Sequence, residues 1–221
     1  MHYPLSKDTI KKKILLTGTC QYELLGLWHL LAAQKNTLCC MSSWGGLRIT
    51  DDWDLIVVTL SAEPVASWGQ HLRHICELKK HVSCRILVLV PERLKELKVL
   101  RNICAVHSGH EEPGQLSRFI TAALDKQDTD RGTFSLTPGQ LAALARLSER
   151  GRGMPLNIRQ DERWLYFHHA QLAANVGVRD FRLLLLTGLD REVGRIAEIQ
   201  TVNCSRFSET SHGEPGITVI T

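Results

Sequence analysis

A chain of 221 residues with 43% hydrophobic content can build either one large domain or two small ones, each with a real core. Its formal net charge of +4 is modest, and nucleic-acid affinity draws heavily on phosphate neutralisation, so total charge argues only weakly for such a partner. No apolar run approaches the roughly 20 residues that cross a bilayer, and the start HYPLSKDTIKKK lacks the pattern of a signal peptide. The expectation is a cytoplasmic protein with no membrane partner. The seven cysteines (Cys20, Cys39, Cys40, Cys76, Cys84, Cys104, Cys204) form no CxxC pair and sit mostly in apolar runs, as reduced core residues would.

Residues 11–125 alternate strand and helix signals. Lys13–Thr17 (KILLT) predicts a short strand, and Tyr22–Ala33 a helix with Leu24, Leu27, Trp28 and Leu31 at helical spacing. Asn36–Ser42 predicts a second strand. Asp54–Leu60 (DLIVVTL) and Arg85–Val90 (RILVLV) are apolar on both faces, as buried parallel strands are. Trp68–Lys79 reads as the helix between them. Pro91–Arg101 reads as helix, Ile103–His107 as a fifth strand and Gly114–Leu124 as a closing helix. Interleaving of this kind predicts a doubly wound α/β sheet of flavodoxin-like order.

Chemistry in such a sheet sits beyond the carboxyl ends of the strands. There is no GxGxxG and no Walker lysine for a nucleotide. His71, His74 and His81 lie near Cys76 and Cys84, but their spacing wraps round more than one helix face, so they read as surface and core fillers rather than metal ligands. The acids Asp51, Asp52 and Asp54 precede the third strand, at its amino end. No enzyme activity, cofactor or metal is expected.

Residues 126–135 break the pattern and read as a linker. Pro138–Arg150 then predicts a helix with Thr137 as N-cap and Leu141, Leu144, Ala145 and Leu147 as its core stripe. In Trp164–Val178 (WLYFHHAQLAANVGV), Leu165, His168, Leu172 and Val176 fall on one helical face and Gly177 arrives where a left-handed C-cap belongs. Tyr166, His169, Gln171 and Asn175 occupy the opposite face, adaptable polar groups suited to a DNA groove and equally at home on an ordinary surface helix. Residues 133–187 carry seven arginines against four acids, whereas 188–221 carry three against five, so positive charge concentrates on this segment. Asp180–Leu186 predicts a further helix, which Thr187–Ile199 extends. Residues 190–221 read as a C-terminal tail, of which Gln200–Thr221 lies outside the pattern and reads as mostly disordered.

The segment resembles the recognition helix and turn of LuxR/FixJ-type helix-turn-helix proteins, whose pattern runs TVxxHxxxLxxKLGVxD. Leu165 stands at the Val, His168 at the His, Leu172 at the next apolar site and Val176 at the Leu, and Gly177, Val178 and Asp180 match the ending. Leu136-Thr137-Pro138 resembles the family's LTPRE opening. The likeness covers about residues 133–189. It departs at Gln140, which replaces an acid, and at Gly151–Asp161, which is short for the scaffold helix and carries Pro155. What the resemblance implies is a DNA-binding domain at 136–189 and double-stranded DNA as partner. Arg163 and Tyr166 stand where the family places lysines that meet DNA. His169 and Gln171 point outward beside them, and Arg159 and Arg179 hold flanking phosphates. It also implies dimer contacts through the last helix, at Leu183, Leu184 and Leu186, in a homodimer or a heterodimer with a typical response regulator.

The first 125 residues resemble the receiver domains of response regulators. In those, an acidic pair after the first strand holds magnesium, an Asp ends the third strand and takes the phosphoryl group, and a Lys follows the fifth. Alignment puts Gly18 and Thr19 at the acidic pair, Thr59 at the acceptor, and Ser108 or Gly109 near the Lys. Hydroxyls do not replace the carboxylates that a hard cation requires. The implication is a pseudo-receiver at 1–125 and a transcription regulator independent of phosphorylation. The rival is an interaction protein that no longer reads DNA and modulates a related regulator through its receiver-like domain.

Overall fold

Strands that are apolar on both faces set the architecture. The computed structural model describes residues 11–34, 36–42, 53–125, 134–150 and 162–196. Outside them lie the scaffold segment 151–161 with Arg159, residues 126–133 of the expected linker, Asp51, Asp52, Cys204 and the tail from 197 onward. Five parallel strands, β1 (Lys13–Gly18), β2 (Thr37–Met41), β3 (Leu55–Thr59), β4 (Arg85–Val90) and β5 (Ala105–Ser108), form one sheet in the order β2-β1-β3-β4-β5. This is the doubly wound, flavodoxin-like order predicted from the sequence.

Because side chains alternate across a strand, the sheet feeds two cores. Ile14, Leu16, Leu55, Val57, Leu87 and Leu89 meet α1 (Gln21–Ala32) and α4 (Pro113–Asp125) on one face. Leu15, Ile56, Val58, Ile86, Val88 and Val90 meet α2 (Gly69–His81) on the other. The last turn of α2 carries Lys79, Lys80 and His81, which complements the partial negative charge of a helix C-terminus.

The helix expected over Pro91–Arg101 is instead a 3₁₀ turn (Glu92–Leu94) followed by the short α3 (Lys98–Arg101). Leu97, with ψ of 96°, is extended and breaks the run. A continuous helix would turn Val99 away from Leu94 and Leu97, yet all three are fully buried. The cysteines also differ from expectation. None of the six described is fully buried and Cys40 is exposed; all six are free thiols. Cys39 and Cys40 lie on β2, an edge strand covered by a single neighbour.

Among the described residues four more helices follow: α5 (Pro138–Arg150), α6 (Glu162–Val176), α7 (Phe181–Thr187) and α8 (189–196). The start of α5 is a full capping box. The Gln140 amide N–H donates to Thr137 Oγ1 at 3.3 Å, and the Thr137 N–H donates back to Gln140 Oε1 at 2.9 Å. Gln140 therefore fills the reciprocal capping position, where the resemblance to the helix-turn-helix opening implies an acid. Asp180 caps α7 by accepting from the Leu183 N–H at 2.8 Å. Gly188, at φ 68°, ends α7 in the left-handed region, so the chain does not continue as the single helix expected through Ile199.

These helices share a hydrophobic core with α2 and α3. Leu172, Ala173, Val176, Val178, Leu183, Leu184, Leu189 and Val193 pack in the same cluster as Leu72, Ile75 and Leu97. Gly177 makes the contact possible: at φ 89° it passes so close to α3 that a Cβ would lie 2.0 Å from the Glu96 carbonyl oxygen. Lys98 Nζ donates to the Ala174 carbonyl at 3.0 Å, the Ser67 N–H to the Leu186 carbonyl at 3.0 Å, and Arg73 pairs with Glu192.

Candidate nucleic-acid interface and the carboxyl end of the sheet

At the carboxyl end of the strands, Gly18 and Thr59 are neighbours in the β1–β3 register. A Cβ on Gly18 would come within 2.0 Å of Thr59 Oγ1, so an acidic side chain at position 18 and the present Thr59 exclude one another. The hydroxyls of Thr17 and Thr59 are buried with no hydrogen-bond partner. Thr19 donates to the Glu63 carboxylate, whose other oxygen lies 3.6 Å from His71 Nε2. Burial pushes the His71 imidazole below its ordinary value, and the Glu63 charge only partly opposes this. Ser108, almost fully buried at the end of β5, accepts from the His110 N–H at 3.3 Å. Hydrogen bonds from Lys95 and Ser108 hold the Glu92 carboxyl below the usual range.

Sequence reasoning missed two carboxylates here. Glu63 is one; the other is Glu23 of α1, which accepts from Ser61 Oγ at 2.5 Å, the Ser61 N–H at 3.3 Å and the Ala62 N–H at 3.4 Å. They do not rebuild a magnesium site. Glu23 is committed to Ser61 and the Ala62 N–H and Glu63 to the Thr19 hydroxyl, and among the described residues no three metal-ligating side chains converge. The donor set present does not fit the ion.

On α6 the picture is reversed. The buried stripe is Leu165, His169, Leu172, Ala173 and Val176. His169, expected to point outward, is 9% exposed, and its ring stacks on Phe181 at 3.8 Å. The helix phase is set by Leu172, Ala173 and Val176, and position 169 falls a turn before them on the same side. His168 is half-buried against Trp164, 4.2 Å between rings, and over Gly139, where a Cβ would meet its Cε1 at 2.4 Å. Asn175 ties α6 to the start of α5, donating to the Ser135 carbonyl at 3.0 Å and to Gln140 Oε1 at 3.2 Å.

The outward face of α6 carries Arg163, Tyr166, Phe167, Ala170, Gln171 and Ala174. Tyr166 is 78% exposed and Phe167 55%. Arg163, Tyr166 and Gln171, singled out from the sequence, thus share one open stripe; Phe167, Ala170 and Ala174 join it. The spacing of three and four could have identified those three, had a helix-reading residue not been equated with a polar one. Arg179 lies beyond the helix end, exposed and paired with its neighbour Asp180 at 3.0 Å. Arg146 stacks its guanidinium over Trp164 at 4.7 Å, bringing a cation close to the start of this face.

The expected dimer residues divide. Leu183 and Leu184 are buried in the core and are unavailable to a partner, a correction that follows from helix geometry: four successive leucines turn 100° at each step. Leu185 (44% exposed) and Leu186 (54%) face outward. No described helix is long and apolar enough to cross a membrane.

No protein-family model matches the chain, and no curated protein does. Solved structures of response regulators do. A structure of two RcsB dimers bound to two parallel DNAs aligns over 83% of this chain and 99% of that one, at 13% identity and a TM-score of 0.52. RcsB from Salmonella enterica serovar Typhimurium, bound to a promoter, aligns over 80% and 98%, at 15% identity and 0.47. Full-length FixJ from B. japonicum aligns over 81% and 98%, at 14% identity and 0.43. At 13% identity, what the structure of the RcsB dimers on DNA shares with this chain is the fold: a flavodoxin-like sheet followed by a helical region.

Proposed function

We propose that the chain is a DNA-binding transcription regulator of the LuxR/FixJ type whose receiver-like half acts without phosphoryl transfer. The observation that carries this reading is the open stripe on α6, held outward by a buried stripe that anchors the helix in the core. In a major groove, Arg163, Tyr166 and Gln171 contact base edges, while Arg159 and Arg179 hold phosphates. The reading draws support from the DNA-bound RcsB structure, which has the same fold. Independence of phosphorylation rests on Gly18, Thr19, Thr59 and Ser108, which offer no acceptor carboxylate, no metal ligand set and no lysine. Activity is then governed by abundance or by assembly, as a homodimer or with a typical response regulator, through Leu185 and Leu186 among other surfaces.

One observation favours a second reading. Tyr166 and Phe167 are large, adjacent and exposed, as on a helix that docks a protein. Selection of genomic DNA fragments by the full-length chain, with and without related regulators, separates the two. The expected result is an enriched motif, lost in Arg163→Ala and Tyr166→Ala chains that keep the parent unfolding midpoint. Absence of enrichment in every arm would leave the interaction module as the function.

A further inference from the structure

The chemistry of the α6 stripe is unusual for a surface facing a polyanion. From Arg163 to Ala174 it runs ~16 Å along the helix axis, about as long as four or five base-pair steps. Arg163 is its one cation, and none of its six members is acidic. Phe167, Ala170 and Ala174 present only hydrocarbon, and they alternate with Tyr166 and Gln171 along successive turns. All lie exposed, so the face is not covered by the rest of the described chain.

Base edges in the major groove are polar with one exception, the C5 methyl of thymine. Hydrocarbon side chains gain there only where such a methyl leaves water with them. Gln171 matches the same base pair from the other strand, since a glutamine amide pairs with N6 and N7 of adenine. It lies next to Ala170 and one turn before Ala174, so amide and methyl groups meet the groove together. Phosphate contacts from the flanking arginines position the helix without reading sequence, so on a stripe with one cation apolar contact supplies a large share of the selectivity.

Building on the DNA-reading function above, we infer that Phe167, Ala170 and Ala174 of α6 recognise thymine methyl groups, so that the site is A·T-rich, with Arg163 fixing a guanine at one end. The stripe places hydrocarbon, an adenine-matching amide and a single guanine-matching fork in one line.

The test uses the full-length chain and the duplex it selects, compared with the same duplex in which every thymine is deoxyuridine. That exchange removes the methyls and keeps every hydrogen-bonding group. Each contacted methyl is expected to be worth about fourfold in affinity, so two or three contacts weaken binding roughly fifteen- to sixtyfold. In Phe167→Ser the penalty for uracil should shrink by about one such factor, whereas Arg163→Ala should weaken both duplexes and leave their ratio unchanged. Selective binding with equal affinity for the thymine and uracil duplexes, or a selected site made of G·C pairs, overturns this inference while leaving the DNA-reading function in place. Failure to select any duplex overturns both.

Discussion

The carboxyl end of the sheet and the outward face of α6 differ in what their polar groups are doing. At the sheet, Glu23, Glu63, Thr19 and Ser108 are all engaged with neighbouring loops, and Gly18 leaves no room for a side chain beside Thr59. On α6, Arg163, Tyr166 and Gln171 face solvent. A site whose carboxylates are bound by loop hydroxyls and amides, and whose Thr17 and Thr59 hydroxyls are sealed in the core, has the character of scaffold. A site whose groups remain open while the opposite face is locked in the core is ready for a partner. In the proposed function the sheet end serves folding, and α6 serves recognition.

The sharpest way to break the contrast is to loosen the anchor of α6. Leu172 is fully buried in the core that joins α6 to α2 and α3. Leu172→Ala is expected to cost ~2–5 kcal/mol in urea unfolding, far more than a change on the outward face. A loss no greater than that of Phe167→Ala would mean that α6 is not anchored as described. Next in size is the capping box: Thr137→Ala removes the acceptor for the Gln140 N–H and is expected to cost ~1 kcal/mol, with Thr137→Ser restoring most of it. An unchanged midpoint would remove the structural role given to Gln140.

Smaller still is the acid response of the sheet end. Burial holds the folded His71 below its ordinary 6.5, so the unfolded chain takes up the proton first. The stability tied to neutral His71 is present above the unfolded value and is lost as pH falls through the folded one. Urea midpoints between about pH 8 and pH 5 should decline toward acid, and His71→Gln should flatten that decline. An equal slope in the variant would assign the acid response to other groups.

Much of the fold was legible because buried strands leave little choice. RILVLV spans β4 end to end, and DLIVVTL brackets β3 by a single residue on each side. Thr137 and Asp180 were readable as helix starts, and Gly177 as an end. The phase of α6 was harder. WLYFHH places a bulky ring or leucine at six consecutive positions, so periodicity there is nearly flat and His168 and His169 exchange roles with a small rotation. The packing of α6 and α7 against α2 and α3 left no apolar pattern of its own, because it depends on close backbone approach at Gly177 and Gly69. The carboxylates at the sheet end were missed for a different reason. Glu23 comes from a helix and Glu63 from a loop, at positions where a receiver-like alignment does not look for acids.

Fluorescence anisotropy with the full-length chain, on its selected duplex and on a scrambled one, tests the division of labour directly. Arg163→Ala and Tyr166→Ala should each lose ~1–3 kcal/mol on the selected duplex and little on the scrambled one, and acetyl phosphate with magnesium should shift neither affinity nor intact mass. Variants that bind both duplexes as the parent does, or an affinity that rises with a phosphoryl adduct on the chain, would contradict the assignment of recognition to α6 and of scaffolding to the sheet.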